Sequence, residues 1–116
     1  MTGPKPLEWL EHLPCSVTVC DRNYTILYLN ARSAEVNASD GGKRLVGRNL
    51  MECHPPEAQE KLRMVMDSVR PNVYTIEKAG VRKMIYQAHW QTDGTPSGLI
   101  EITFELPAEI PHFVRS

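Results

Sequence analysis

The side chains here that could do chemistry are few: four histidines and three cysteines among 116 residues. His89 and Glu101 lie on two successive strand-like stretches. On neighbouring strands they would form a charge-assisted hydrogen bond that titrates near neutral pH. Nothing nearby supplies a nucleophile or an oxyanion hole, so the pair points to ligand contact or pH sensing rather than catalysis. His54 stands at the entry of a helix in Cys53-His54-Pro55-Pro56. There its ring can bond backbone, or serve as an axial heme ligand. His12 and His112 fall in terminal segments and are expected to be solvated. Cys15, Cys20 and Cys53 are odd in number and form no Cys-x-x-Cys pair, which argues against a disulfide framework or a zinc site. They are read as free, partly buried thiols. The sequence holds no Gly-x-Ser-x-Gly elbow and no His-Glu-x-x-His. Gly41-Gly42-Lys43 lacks the first glycine and the preceding strand of a phosphate loop. The chain is therefore not expected to be an enzyme or to carry a metal.

Composition narrows the partners. At 41% hydrophobic and 23% charged residues the chain is ordinary globular material, enough for one domain spanning 1–116 with a single core. A net charge of -1 offers no field to hold a phosphate backbone, so nucleic acid is not expected as a partner. Lys43, Arg44 and Arg48 read as a solvated basic face. No run approaches the ~20 apolar residues of a membrane span, and Met1-Thr2-Gly3-Pro4-Lys5 is not a signal peptide. A cytoplasmic protein, or a piece of one, is expected, with no membrane partner.

The elements that must position these residues follow from periodicity. Leu7 to Leu13, with Leu7, Trp9, Leu10 and Leu13, reads as a short amphipathic helix between prolines. Cys15 to Cys20 alternates with period two, and Tyr24 to Leu29 follows the turn Asp21-Arg22-Asn23, giving a hairpin. Asn30 suits the N-cap of a helix over Ala31 to Asn37. Lys43 to Met51 is irregular. Pro55 and Pro56 open a longer helix whose apolar face is Ala58, Leu62, Val65 and Val69, stopped by Arg70-Pro71. Three strands close the chain: Val73 to Ile76, Arg82 to Gln91, and Gly98 to Glu105, the last after the turn Thr92-Asp93-Gly94-Thr95. Residues 107–116 are expected to be extended. Two strands, then helices, then three strands predict an α+β antiparallel sheet with helices on one face.

In that order and spacing the chain resembles the PAS domain, a small sensor module of signalling proteins, over roughly Pro6 to Leu106. The carriers are the strand ending in Asp21, Ile26-Leu27-Tyr28-Leu29-Asn30-Ala31, Leu45-Val46-Gly47-Arg48-Asn49-Leu50, Cys53-His54-Pro55-Pro56, and Asp93-Gly94 with Gly98-Leu99-Ile100-Glu101-Ile102-Thr103. The third to fifth resemble a subgroup in which Cys-His-Pro-Pro opens the long helix. The resemblance implies a five-stranded antiparallel sheet wrapped by helices, small-molecule or cofactor sensing, and a homodimer formed through the sheet and the N-terminal helix. Flavin photosensors of the family carry a cysteine directly after the asparagine where this chain has Leu50, so flavin–cysteine chemistry is not supported. Heme-binding members place a histidine within the long helix, where this chain has none. His54 just before it is the remaining heme candidate, and the cofactor is left unassigned.

Alternation sets two faces against each other. Met84, Tyr86, Ala88 and Trp90 oppose Ile85, Gln87, His89 and Gln91; Ile100, Ile102 and Phe104 oppose Leu99, Glu101, Thr103 and Glu105. Periodicity alone would turn the apolar set toward the helices. The resemblance implies the reverse, and that parity is adopted. It yields a pocket with Gln87, His89, Glu101, Thr103, Cys20 and His54. It also leaves an outward apolar face of Ile100, Ile102 and Phe104, covered with Leu7, Trp9 and Leu10 by a second subunit. Two functions fit: a sensor whose pocket holds a small molecule, or a ligand-free dimerisation module of a larger signalling or regulatory protein.

Overall fold

The computed structural model describes residues 7–116. A five-stranded antiparallel sheet has the order β2-β1-β5-β4-β3, built from β1 (Ser16–Asp21), β2 (Ile26–Leu29), β3 (Asn72–Lys78), β4 (Val81–Thr92) and β5 (Thr95–Leu106). Helices α1 (Glu8–Glu11), α2 (Ala31–Val36) and α3 (Pro56–Met66) accompany it, with 3-10 turns at Ala38–Asp40, Gly42–Leu45 and Leu50–Cys53. No helix among the described residues is long and apolar enough to cross a membrane.

Local chemistry accounts for most boundaries. Asp21 Oδ1 accepts from the amides of Asn23 and Thr25 and closes the first hairpin. The β3–β4 and β4–β5 hairpins turn on two residues each, Ala79-Gly80 and Asp93-Gly94, all four at positive φ. That is the geometry that matches the strand twist. Gly47, at φ 91, lets the chain reverse so that its amide reaches the Ile26 carbonyl at 2.8 Å.

Asn30 holds the fold's tightest junction. It is wholly buried and makes four side-chain hydrogen bonds. Oδ1 accepts from Ser33 N, as the N-cap of α2, and from Val17 N in β1, each at 3.0 Å. Nδ2 donates to the carbonyls of Leu10 and Cys15 at 3.0 and 2.8 Å. One amide thus uses all its hydrogen-bonding capacity to join β1, α2, α1 and the segment after α1.

Two expectations about helices change. The first helix is one turn, Glu8–Glu11, instead of Leu7 to Leu13, because Leu7 sits at φ 67 and cannot extend it. The long helix ends at Met66, so Val69 is 94% exposed and Met66 takes the buried place beside Leu62 and Val65. The Ser68 hydroxyl bonds both the amide and the carbonyl of Arg70, fixing a turn ahead of Pro71. Beyond β5, residues 107–116 form no helix or strand.

The core has two centres. Cys20, Leu62, Val65, Met66 and Leu99 bury α3 against β1 and β5. Ile26, Leu29 and Leu45 bury the Gly42–Leu45 turn against β2. Leu50 packs on both.

Candidate functional site

Between those two centres lies a cavity of about 130 Å³. Its sheet side is made by Thr18, Cys20, Ile26, Leu29, Gln87, Leu99 and Glu101, with Ile100, expected on the outer face, also bordering it; its helical side is made by Ser33, Asn37, Asp40, Leu45, Leu50, Cys53, His54 and Leu62. The polar set of β4 and β5 therefore faces the helices, as the resemblance implied and against simple alternation. The opposite set, including Tyr86, Ile102 and Phe104, keeps partial or full exposure.

A shift of register brings the polar residues together. A regular hairpin on Asp93-Gly94 would set Gln87 opposite Ile100. Between Trp90 and Gln91 the pairing skips Ser97, so Trp90 meets Gly98, His89 meets Leu99 and Gln87 meets Glu101. The expected His89–Glu101 pair is thus replaced by Gln87–Glu101. Gln87 Nε2 donates to Glu101 Oε2 at 2.7 Å, and Gln87 Oε1 accepts from Asn72 Nδ2 at 2.8 Å. An amide ladder crosses β3, β4 and β5 and ends on a carboxylate. Gln87 itself is only 6% exposed, so this pairing satisfies a polar group that burial would otherwise penalise.

The other sequence-selected residues scatter. His89 does not line the cavity: its Nε2 meets Gln91 Nε2 at 2.9 Å and its buried Nδ1 has no partner. Thr103 lies farther along β5, in a second hollow with Ser16, Arg32 and Lys83 that shares only Asn37 and Glu101 with the cavity. Cys20 does line the cavity, and burial pushes its thiol up to about 11, which makes it a poor nucleophile. His54 borders it too. Its Nδ1 lies 2.8 Å from the Leu50 carbonyl; a carbonyl only accepts, so Nδ1 carries the hydrogen.

Sequence reading missed the roof and the entrance. Thr18 and Ser33 hydroxyls bond each other at 2.6 Å, and Asn37 Nδ2 donates to the Ser33 carbonyl at 2.9 Å. A more open hollow of about 370 Å³ adjoins the cavity between α3 and β3. It adds Ala58, Lys61, Asn72 and Tyr74 and shares His54, Leu62, Gln87 and Glu101. Burial and the negative charge of Glu101 raise the Tyr74 phenol pKa. Polar residues that open an apolar strand, as Asn72 does, are the one signal that could have marked this rim.

Volume decides what fits. Cavities for drug-sized ligands run about 300–1,000 Å³, whereas one of roughly 150 Å³ takes a single benzene. A heme is several-fold larger than the enclosed cavity that His54 borders, so that cavity does not take one. Among the described residues no cluster of three or more His, Cys, Asp or Glu is placed to hold a metal ion.

Residues 10–72 match the family model described as the PAS fold. No curated protein matches the chain. Solved structures share the fold at low identity. A sensory box sensor histidine kinase from Vibrio cholerae is 16% identical over 86% of this chain and 88% of its own, with a TM-score of 0.62. The Vibrio cholerae Aer2 receptor, a dual PAS–heme oxygen sensor, is 18% identical over 80% and 95%, with a TM-score of 0.61. VqmA of Vibrio cholerae, in a complex with ligand and DNA, is 19% identical over 87% of this chain, with a TM-score of 0.68. The chain spans only 50% of that VqmA chain.

Proposed function

From the premise that this chain belongs to the PAS fold family, we propose that it is a sensor domain that holds a small molecule between sheet and helices and pairs through the outer sheet face. The observation that carries the reading is the inward polar parity. Gln87 and Glu101 face an enclosed space while Phe104 and Tyr86, at 37% exposure each, face out. A fold that needed only a core would bury the apolar set. Ligand binding by VqmA supports the reading. The enclosed cavity by itself takes an occupant of about the size of a benzene ring, and the adjoining hollow between α3 and β3 gives room for substituents on it.

The test is native mass spectrometry of the freshly purified chain, joined to thermal unfolding with a fragment set of that size. A bound molecule at 100-fold its Kd adds about 2.7 kcal/mol of stability. Cys20→Phe, which fills the cavity from β1, is expected to abolish both signals. Fragment-induced stabilisation that survives Cys20→Phe would place the binding elsewhere and sink the proposal.

A ligand-free pairing module is the second reading, favoured by the exposed apolar residues. Val73 joins Tyr86 and Phe104 on the outer face, and Leu7 and Trp9 are exposed in the α1 segment. Under that reading Cys20→Phe leaves pairing and stability intact, and no molecule co-purifies.

A further inference from the structure

The hydrogen-bonding groups around the cavity are unequally divided between donors and acceptors. The amide and imidazole donors each bond the protein itself, and the second Gln87 N–H and one hydroxyl hydrogen of the Thr18–Ser33 pair remain. Asn37 Nδ2 bonds the Ser33 carbonyl at 2.9 Å, His54 Nδ1 the Leu50 carbonyl at 2.8 Å, and Gln87 Nε2 the Glu101 carboxylate at 2.7 Å. The Gln87 carbonyl is likewise taken, by Asn72. The acceptor capacity beside them is larger: Asn37 Oδ1, Glu101 Oε1 and both oxygens of the Asp40 carboxylate.

Charge points the same way. Two carboxylate residues and no lysine or arginine line the cavity. Among the described residues no ion pair within 4.0 Å includes Glu101 or Asp40. Lys61 borders only the outer hollow. An anionic occupant would lie against Glu101 and Asp40 with no lysine or arginine in the wall of this cavity, whereas a protonated amine would gain charge-assisted hydrogen bonds. The remaining wall is aliphatic, from Leu29, Leu62 and Leu99.

We infer that the ligand of this pocket is a small protonated amine, its ammonium or amidinium group bonded to Glu101 and its short apolar body against the leucines. The inference rests on the pocket reading above and specifies its chemistry.

Three probes of matched size and different charge test it: n-butylammonium, n-butanol and butyrate, titrated at pH 7 against the 13C-labelled methyl groups of Leu29, Leu62 and Leu99. Saturable shifts with butylammonium are expected, at an affinity about ten-fold or more above butanol, as one charge-assisted bond supplies. Butyrate is expected to be the weakest. Glu101→Gln keeps an acceptor for Gln87, so it preserves the ladder; it should remove the preference for the amine over butanol. Butanol or butyrate binding as tightly as the amine would overturn the cation assignment while the pocket stands. A preference that survives Glu101→Gln would overturn the role of Glu101. Silence of all three methyl groups toward all three probes would remove the pocket reading itself.

Discussion

Asn30 allows a prediction that separates this structure from a generic helix cap. By capping preference alone, Asn and Asp are nearly equivalent and Ala costs about 1 kcal/mol. Here the amide also donates twice, to the carbonyls of Leu10 and Cys15, and its oxygen accepts from Val17 N in a fully buried position. Asn30→Ala loses the cap and strands the Val17 amide and two carbonyls, each costing about 1 kcal/mol or more, for a total of roughly 3–4 kcal/mol. That is a large share of the 5–15 kcal/mol typical of a domain, and at about 4 °C per kcal/mol the midpoint falls by about 12–16 °C. Asn30→Asp should be at least as damaging, because its second oxygen meets two carbonyl lone pairs. The introduced carboxyl would have its folded pKa raised above the unfolded value of about 3.9. A group so raised keeps its stability below the unfolded pKa and loses it as pH rises toward the folded one. The deficit of Asn30→Asp is therefore largest at pH 7.5 and shrinks toward pH 4.5, while that of Asn30→Ala shows no such trend. Urea unfolding followed by far-ultraviolet circular dichroism measures both. An Asn30→Asp variant within about 0.5 kcal/mol of wild type at pH 7.5 would refute the four-bond account.

Four further outcomes are expected. Ala79 sits at φ 52 in a hairpin turn, so Ala79→Gly should stabilise the chain by about 0.5–1 kcal/mol in the same urea assay. A Cβ at Gly98 would run into the Cys20 carbonyl and the Trp90 indole; Gly98→Ala should cost about 3 kcal/mol, with part recovered on adding Trp90→Ala. With its pKa pushed up to about 11, Cys20 is a thiolate in on the order of one molecule per thousand at pH 8, so a disulfide reagent should label exposed Cys53 quickly and Cys20 only on unfolding. Phe104→Asp should convert a dimer to a monomer by sedimentation velocity; an unchanged oligomer would remove the outer face from the proposed interface.

Much of this was legible in the sequence because its signals are local. Asn30 before an apolar helix, Asp21 at a turn, and Asp93-Gly94 between long strands each act within a few residues, and the element order followed from them. The inward parity was legible only through family resemblance: on β4 and β5 alternation gives the opposite answer, because a pocket inverts the usual rule. Register was the failure. The His89–Glu101 pairing was not worked out from the turn: an uninterrupted ladder on Asp93-Gly94 would set His89 opposite Gly98, and Ser97 is in fact bulged out beside Pro96, which has no amide hydrogen to donate. That single extra residue brings Glu101 opposite Gln87 and leaves His89 against Leu99. The end of α3 was misplaced for a similar reason, since the Ser68 turn interrupts a helical pattern that the apolar periodicity alone carries on to Val69.

The clash that Gly98 avoids has an optical consequence. The chain has two tryptophans. The Trp90 indole lies over Gly98, its Nε1 donating to the Cys20 carbonyl at 3.0 Å, while Trp9 in α1 is 67% exposed. One fluorophore is thus fixed across β4, β5 and β1, on the reverse side of the sheet from the cavity, and the other looks into solvent beside the N-terminal helix. Cys20 lines the cavity with its side chain and holds the indole with its carbonyl. Emission from Trp90 is therefore expected to shift when the interior is filled, and quenching of exposed Trp9 to read the helix end separately, without any added label.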